Sequence, residues 1–474
     1  MPPIFEILHK DVCGRIGRLK TPHGTVETPL IMPVVNPNLQ VITPAEMEQM
    51  GAKMLITNAY ILHHTGETRD VHSLLGFHGP IMTDSGSYQL SVYGEIEVTS
   101  REILEFQQKI GSDIGVPLDI PTPPFAPKER AEADLKLTLQ RLQEATAFQS
   151  EKMLICGPIQ GSTHPDLREK AARRAAELGF DIYPIGGVVP LMENYHYQEL
   201  VDVIVKVKEN LPPSSPVHLF GAGHPMMLPL AVALGCDLFD SAAYILYARD
   251  KRYLTPTGTR HIQDLRYLPC NCQVCTNHTP RELEENTTLL AKHNLLLTLR
   301  EMEAIKQALW EGRLWEYTAQ RCHSHPHLLE GLHQALKYQD WLEKTTPRGG
   351  RTPIFYTGRE TCQRTEIKRH KKKLANLTLT GHILLKPPDA KIKNTGSQTW
   401  HLQPPLIYPV ELKETYPLNM VTPRNPDPQA LETAIQQILY LLEHNPQTKF
   451  TIAWKKQWNQ PPTDLAKKAE IIPC

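Results

Sequence analysis

Eight short apolar runs between residues 30 and 245 predict an α/β fold, a (β/α)8 TIM-type barrel. They read LIMPVV (30–35), KMLITN (53–58), PIMTDSG (80–86), IGVPLDI (114–120), MLICGPIQG (153–161), DIYPIGG (181–187), PVHLFGAG (216–223) and CDLFDSAAY (236–244). Each closes on a polar or glycine-bearing end, and amphipathic stretches separate several of them. Strands buried on both faces read as unbroken apolar runs, and their alternation with helices signals a parallel sheet. An open doubly wound sheet is the alternative, but it has no reason to stop at eight strands.

The connecting helices carry their own punctuation. Thr99 and Glu102 have capping-box spacing before ILEFQQKI, and Gly111 follows as a C-cap. HPDLREKAARRAAELGF likewise ends at a glycine. Residues 279–312 read as a long helix pair. KTTPRGGRTP (344–353) then marks a boundary, giving a catalytic domain over 1–345, with a metal-binding subdomain at about 265–340, and a smaller α/β domain over 346–474. In that domain Asp427 precedes Pro428 as an N-cap, and Leu431, Ala434, Ile435, Ile438 and Leu442 share one apolar face. The stretch 387–405 between the periodic segments reads as an irregular loop.

Composition narrows the classes. With 474 residues, 41% apolar and 22% charged, the chain is globular and too long for one ordinary domain. Lys+Arg and Asp+Glu are 51 each, which argues against indiscriminate nucleic-acid binding but leaves room for a local basic surface. RTEIKRHKKK (364–373) is the densest candidate, equally readable as a solvated helix face. Glu6 and Lys10 interrupt any signal-peptide core, and no apolar run of about 18 residues occurs. Cys13, Cys156, Cys236, Cys322, Cys362 and Cys474 stand singly and the total is nine, so a reducing, cytoplasmic setting is expected.

The other three cysteines are packed into PCNCQVCTNH (269–278). Cys270, Cys272 and Cys275 offer three thiolates from one tight loop, a soft set that suits zinc. The fourth ligand is His278 or His293; a helical histidine can approach the loop from the side without strain, which favours His293. Three cysteines and a histidine leave no open position, so this zinc is structural and the chemistry must come from the barrel.

A barrel places its site at the C-terminal ends of its strands. Those ends carry Asp84, Asp119, Gln160, Gly186, Gly187, Gly221, Gly223 and Asp240. Asp237 lies three positions before Asp240 and so faces the other way on a strand; the later aspartate is better placed for the mouth. Ser85, Gly86 and Ser87 make a turn where backbone can approach a ligand. Two carboxylates at one rim suit divided nucleophile and acid/base work, as in retaining glycosyl transfer.

GRIGRLKTPHGTVETPLIMPV, TDSGSYQ, IQGSTHPDLR, GGVVP, LFGAGHP, DLFDSAAY and the cysteine spacing together resemble the tRNA-guanine transglycosylases over roughly residues 10–340. GGVVPLMENY and DSAAYILYARDKRYLTPTG resemble the archaeal type, which inserts 7-cyano-7-deazaguanine at position 15 of the tRNA D-arm during archaeosine synthesis; queuosine-type members usually read GGLAVG. The resemblance implies Asp240 as the nucleophile that attacks C1′ and Asp84 as the general base. It implies Asp119 and Gln160 as purine readers, Gly187 and Val188 as backbone contacts, Val188 and Val189 near an uncharged 7-substituent, and Ser85 beside the base. Tyr88 and Phe220 would sandwich the ring. Arg249, Lys251 and Arg252 would contact phosphates of an RNA whose base is extruded. A homodimer braced by the zinc module is implied. Archaeal members usually end in a PUA domain, and this chain stops at AEIIPC, so the resemblance leaves two expectations: a separate PUA-domain protein as partner, or a member that works without one. A DNA-modifying relative and a non-catalytic partner subunit are the alternatives; the presence of both Asp84 and Asp240 opposes the second.

Overall fold

The computed structural model describes residues 3–87, 99–148, 150, 152–392 and 398–474. The chain divides into two compact units, Met1–Tyr338 and Gln339–Cys474.

The first unit opens with an antiparallel sheet of β1 (Phe5–Asp11), β2 (Gly14–Thr21) and β3 (Gly24–Thr28). Eight parallel strands follow: β4 (Leu30–Val35), β5 (Leu55–Asn58), β6 (Ile81–Asp84), β7 (Ile114–Gly115), β8 (Leu154–Ile155), β9 (Tyr183–Ile185), β10 (Val217–Leu219) and β11 (Leu238–Ser241). From β4 to β8 and from β9 to β11 each strand pairs with the next in chain order, β11 pairs with β4, and two isolated parallel bridges, Cys156–Ile182 and Ile159–Ile185, join the β8 and β9 segments. The result is the expected TIM-type barrel. Several strands are very short because the apolar runs continue past the hydrogen-bonded ladder into the loops that build the rim.

Met32, Ile56, Met82, Ile114, Cys156, Ile182 and Leu238 form the barrel core, together with Phe5, Leu19 and Val26 from the antiparallel sheet. Each fully buried side chain of this size contributes about 1.5–3 kcal/mol. The packing sets the aim of the site: Met82 and Leu238 belong to this core, so Asp84 and Asp240, two residues further on each strand, face the same side at the strand ends.

Beyond β11 come a helix (Ala243–Arg249), a ribbon of β12 (Arg252–Thr255) and β13 (Gly258–His261), and the cysteine-bearing loop. The helix pair is a short segment, Pro280–Glu285, and a 25-residue helix, Thr287–Glu311, that ends at Gly312 in a left-handed C-cap. Among the described residues no helix is long and apolar enough to cross a membrane.

The second unit is a five-stranded sheet, with β14 (His382–Lys386), β15 (Gln398–Gln403), β16 (Leu406–Pro409), β17 (Lys449–Trp454) and β18 (Glu470–Pro473) in the order β16-β15-β14-β17-β18. Helix Pro428–His444, capped by Asp427, buries Leu431, Ala434, Ile438 and Leu442 in its core. Here one expectation is corrected. The stretch taken as irregular contains β15, where Trp400 and Leu402 alternate inward with polar neighbours outward; the strand's period of two is hidden beneath the proline-rich flanks.

Candidate active site

A cavity of about 580 Å3 opens at the C-terminal ends of the barrel strands, lined by Asp84, Asp119, Gln160, Gly186, Gly187 and Asp240, with Val188, Val189 and Phe220 on its apolar wall. Residues far apart in sequence therefore share one mouth. Tyr88 lies outside the described residues. Ser85 is fully buried and its hydroxyl meets that of Ser87 at 3.0 Å; Ser87 is the one that lines the cavity.

Asp240 is held firmly. Among the described residues both of its donors reach one oxygen, Oδ1: the Gly221 N–H at 2.8 Å and His218 Nε2 at 2.8 Å. His218 is fully buried, and donation to a carboxylate places the proton on Nε2. Gly221 makes this hold with φ +67°, and a Cβ there would come within 2.4 Å of Val189 Cγ2. A side chain at 221 would cost the cavity wall or the anchor.

Asp84 sits in a different balance. Burial raises its carboxyl, the Asp119 and Asp240 charges raise it further, and the backbone N–H groups of Gly86 and Ser85 only partly offset them, leaving it at about 7. An acid poised at neutrality can both take and give a proton. Asp119 is also pushed up by burial, against the hydrogen bonds of Gln160 and Ser87.

Gln160 donates from Nε2 to Asp119 Oδ2 at 2.5 Å, while its Oε1 is buried with no partner among the described residues. A buried acceptor beside a buried carboxylate is costly unless a ligand completes it. The pair presents acceptors side by side, the pattern that an N–H and an amino group on one edge of a purine would satisfy. Gly186 permits it: a Cβ there would lie 2.1 Å from Gln160 Nε2.

Two supporting residues escape notice in the sequence. His218 is a histidine within an apolar strand. Arg168 falls on the apolar face formed by Leu167, Ala171, Ala172 and Ala175, and its guanidinium donates to the carbonyls of Ser162 (2.8 Å), Ile159 (2.7 Å) and Gly186 (2.9 Å). It ties the Gln160 loop to the Gly186 loop, and burial lowers it to about 9. A charge on the buried face of a helix is the signal that could have found it.

Of the three cations following β11, Arg249 is exposed and lines the cavity. The Lys251 ammonium donates to the Glu284 carbonyl, and the Arg252 guanidinium lies over the Tyr247 ring at 5.6 Å.

Away from the mouth, Cys270, Cys272, Cys275 and His293 bring their ligand atoms within 4.8 Å of one another, a cluster able to hold a metal ion. His293 Nδ1 lies 3.1 Å from Cys275 Sγ and 3.5 Å from Cys272 Sγ, while Nε2 bonds the Leu254 carbonyl at 3.0 Å. That second bond fixes which nitrogen faces the thiols. His278 instead turns Nδ1 to the Val274 carbonyl at 2.9 Å.

A barrel mouth with an anchored carboxylate, a second carboxyl near neutrality and a buried pair of acceptors is the equipment of a glycosyl-transfer enzyme. Known proteins agree. The family described as "Queuine tRNA-ribosyltransferase" matches residues 11–327, and the chain belongs to it, a family of pentosyltransferases. It is 51% identical to the tRNA-guanine(15) transglycosylase of Methanosarcina barkeri over 100% of this chain and 98% of that one. It is 47% identical to that of Haloferax volcanii, covering 99% and 93%, and 44% identical to that of Archaeoglobus fulgidus, covering 98% of each.

Proposed function

We propose that the chain exchanges guanine at position 15 of tRNA for 7-cyano-7-deazaguanine, as the archaeal relatives' names indicate for guanine(15). The observation that carries the reading is the shared cavity, in which an anchored Asp240, a near-neutral Asp84 and the Asp119–Gln160 edge converge.

Asp240 Oδ2 attacks C1′ of the target nucleoside, the glycosidic bond to N9 breaks, and a covalent RNA–enzyme ester forms. Asp84, whose carboxyl burial and the neighbouring Asp119 and Asp240 charges hold near neutrality, gives its proton to the departing guanine. It then takes the N9 proton of the incoming base, whose nitrogen displaces the Asp240 carboxylate from C1′. Two displacements on one carbon give retention. Asp119 and Gln160 read the purine edge; Gly187 and Val188 offer backbone contacts; Val188 and Val189 suit an uncharged nitrile; Phe220, edge-on to His218 at 4.6 Å, bounds the ring. Arg249 is the cation best sited for RNA phosphate, with Lys251 and Arg252 in supporting roles.

Cys270, Cys272, Cys275 and His293 would hold one zinc ion, which when bound ties the loop to the long helix and supplies no reaction step. The donor set fits: tetrahedral zinc with these ligands needs S···N edges of roughly 3.5 Å, against 3.1 and 3.5 Å here. The proposal extends to a cytoplasmic homodimer that works with a separate PUA-domain protein.

The test is incorporation of labelled 7-cyano-7-deazaguanine into unmodified tRNA, a tRNA without guanine at position 15, and duplex DNA, each with and without a PUA-domain protein. Label in tRNA that disappears with the position-15 change supports the reading. Label in DNA alone overturns the substrate, and no label in any arm overturns the exchange itself.

A further inference from the structure

Four aromatic side chains are large and exposed among the described residues: Phe125, Tyr195, Tyr267 and Trp310. Two of them stand beside the cavity. Phe125 follows Pro123 and Pro124, and Tyr195 closes the turn after Val189 and Pro190; all four of those neighbours line the cavity wall. Phe125 meets the His196 ring edge-on at 5.1 Å, and Tyr195 stacks on His325 at 4.7 Å and 15°, with His327 beyond at 6.1 Å. Tyr195 and His196 are consecutive, so the two sets of ring contacts meet at one turn and bring five rings into a row beside the loops that line the cavity.

The backbone makes the row stranger. Phe125 and Tyr195 both adopt left-handed conformations, φ 59° and 60°, which bulky L-residues disfavour and which glycine or asparagine holds more easily. Both residues are about half exposed, at 55% and 45%, so burial does not explain why aromatics occupy these turns.

We propose that this row is a stacking shelf for the unpaired nucleotides that flank the one whose base enters the cavity. The inference rests on reading the cavity as the seat of an RNA base. A base drawn out of its stack leaves its neighbours with bare faces, and aromatic rings accept any base face. The charges divide the labour. Arg130 and Arg249 are exposed on the cavity wall, where phosphates pass. On the shelf, His327 and His196 face Glu330 (3.0 Å) and Glu199 (3.8 Å), a poor setting for phosphate and a neutral one for stacking.

The experiment measures equilibrium tRNA binding across a salt series, base exchange at saturating tRNA, and melting temperature for the full chain and for Tyr195→Asn, Tyr195→Trp and Phe125→Asn. Tyr195→Asn should weaken tRNA about tenfold, with the salt slope unchanged because no phosphate contact is lost. Its melting temperature should not fall, since asparagine accepts the left-handed turn, and kcat should stay within about twofold. Phe125→Asn should weaken binding in the same way, and Tyr195→Trp should bind at least as well as the parent. Undiminished binding by Tyr195→Asn overturns the shelf, as does a shallower salt slope. A changed oligomeric state at unchanged RNA affinity also overturns it and assigns the row to a protein partner. If the parent chain neither binds tRNA nor exchanges its base, the reading of the cavity has failed; if the parent does both and Tyr195→Asn matches it, only the shelf has failed.

Discussion

The barrel carries aspartates at both ends, in opposite company. At the N-terminal end Asp237 accepts two hydrogen bonds from Arg15, at 2.7 and 2.8 Å, and one from the Val217 N–H; Asp113 accepts from the backbone N–H groups of Ile81 and His23 and lies 3.1 Å from the imidazoles of both His23 and His72. Burial pushes Asp113 up, yet these partners outweigh it and hold the carboxyl below its ordinary value. At the C-terminal end Asp84, Asp119 and Asp240 crowd one cavity whose cations, Arg130 and Arg249, lie at the exposed edge. One end spends its charges on closing the fold. The other leaves them underpaired, where a substrate can complete them.

Exchanging each end's central carboxylate for an amide separates the two roles most sharply. Asp240→Asn keeps the shape of the anchor and removes the nucleophile, so turnover should fall by about 10⁴-fold or more while the melting temperature holds. No denaturation-resistant RNA adduct should form. Asp237→Asn leaves Arg15 buried beside a neutral partner, and the expected loss is about 3 kcal/mol of stability with near-normal kcat per folded molecule. Retained adduct in Asp240→Asn, measured on denaturing gels with labelled tRNA, would sink the nucleophile assignment.

The proposed zinc site, Cys270, Cys272, Cys275 and His293, is expected to belong with the stabilising end of this comparison. Cys272→Ser should lower zinc content per chain and the melting temperature together, and a strong chelator should reproduce both in the parent. Loss of turnover at unchanged zinc and stability would move the cluster into the chemistry.

Much of this contrast was legible in the sequence, for a physical reason. Strands buried on both faces leave continuous apolar runs, and the residues that end them are the rim; Asp84, Asp119, Gln160 and Asp240 could be read that way. The base was harder. Asp237 was recognised as facing away from the mouth, but three residues of strand, about 10 Å, also carry it to the other end of the barrel. Its partner Arg15 is 222 positions distant, a pairing no local pattern reveals. His218 and Arg168 were hidden because each sits where the pattern expects an apolar side chain. The basic stretch 364–373 shows the reverse case. Within the second unit Lys368 meets Asp340 at 2.6 Å, Lys372 meets Glu343 at 2.7 Å, and Arg369 donates to the Pro347 and Thr346 carbonyls at 2.8 Å. A run that reads equally as a basic surface or a solvated helix face has several of its charges engaged within its own unit.

The smallest effect tests the comparison most finely, because the two ends should respond to pH with opposite sign. Asp84 titrates at about 7 in the folded chain and near 4 when unfolded, so between those values the folded state holds a proton that the unfolded state has released. Stability from this group therefore falls as pH rises from about 4 to 7. Asp113 is depressed, so its contribution is present above the ordinary carboxylate value and is lost as pH drops below it. Asp84→Asn should accordingly melt higher than the parent at pH 8 and lose that advantage at pH 4.5. Asp113→Asn should melt lower than the parent throughout pH 4 to 8, and the share of that gap due to Asp113's own titration should close only below the ordinary carboxylate value. Part of that gap at neutral pH reflects His72, which Asp113 holds above its ordinary value and whose contribution fades as pH rises through that raised value. Melting curves for the two variants that stay parallel from pH 8 down to about 2, through the range where a depressed carboxyl takes up its proton, would mean that both carboxylates are paired alike, and the division between a closing end and a reactive end would collapse.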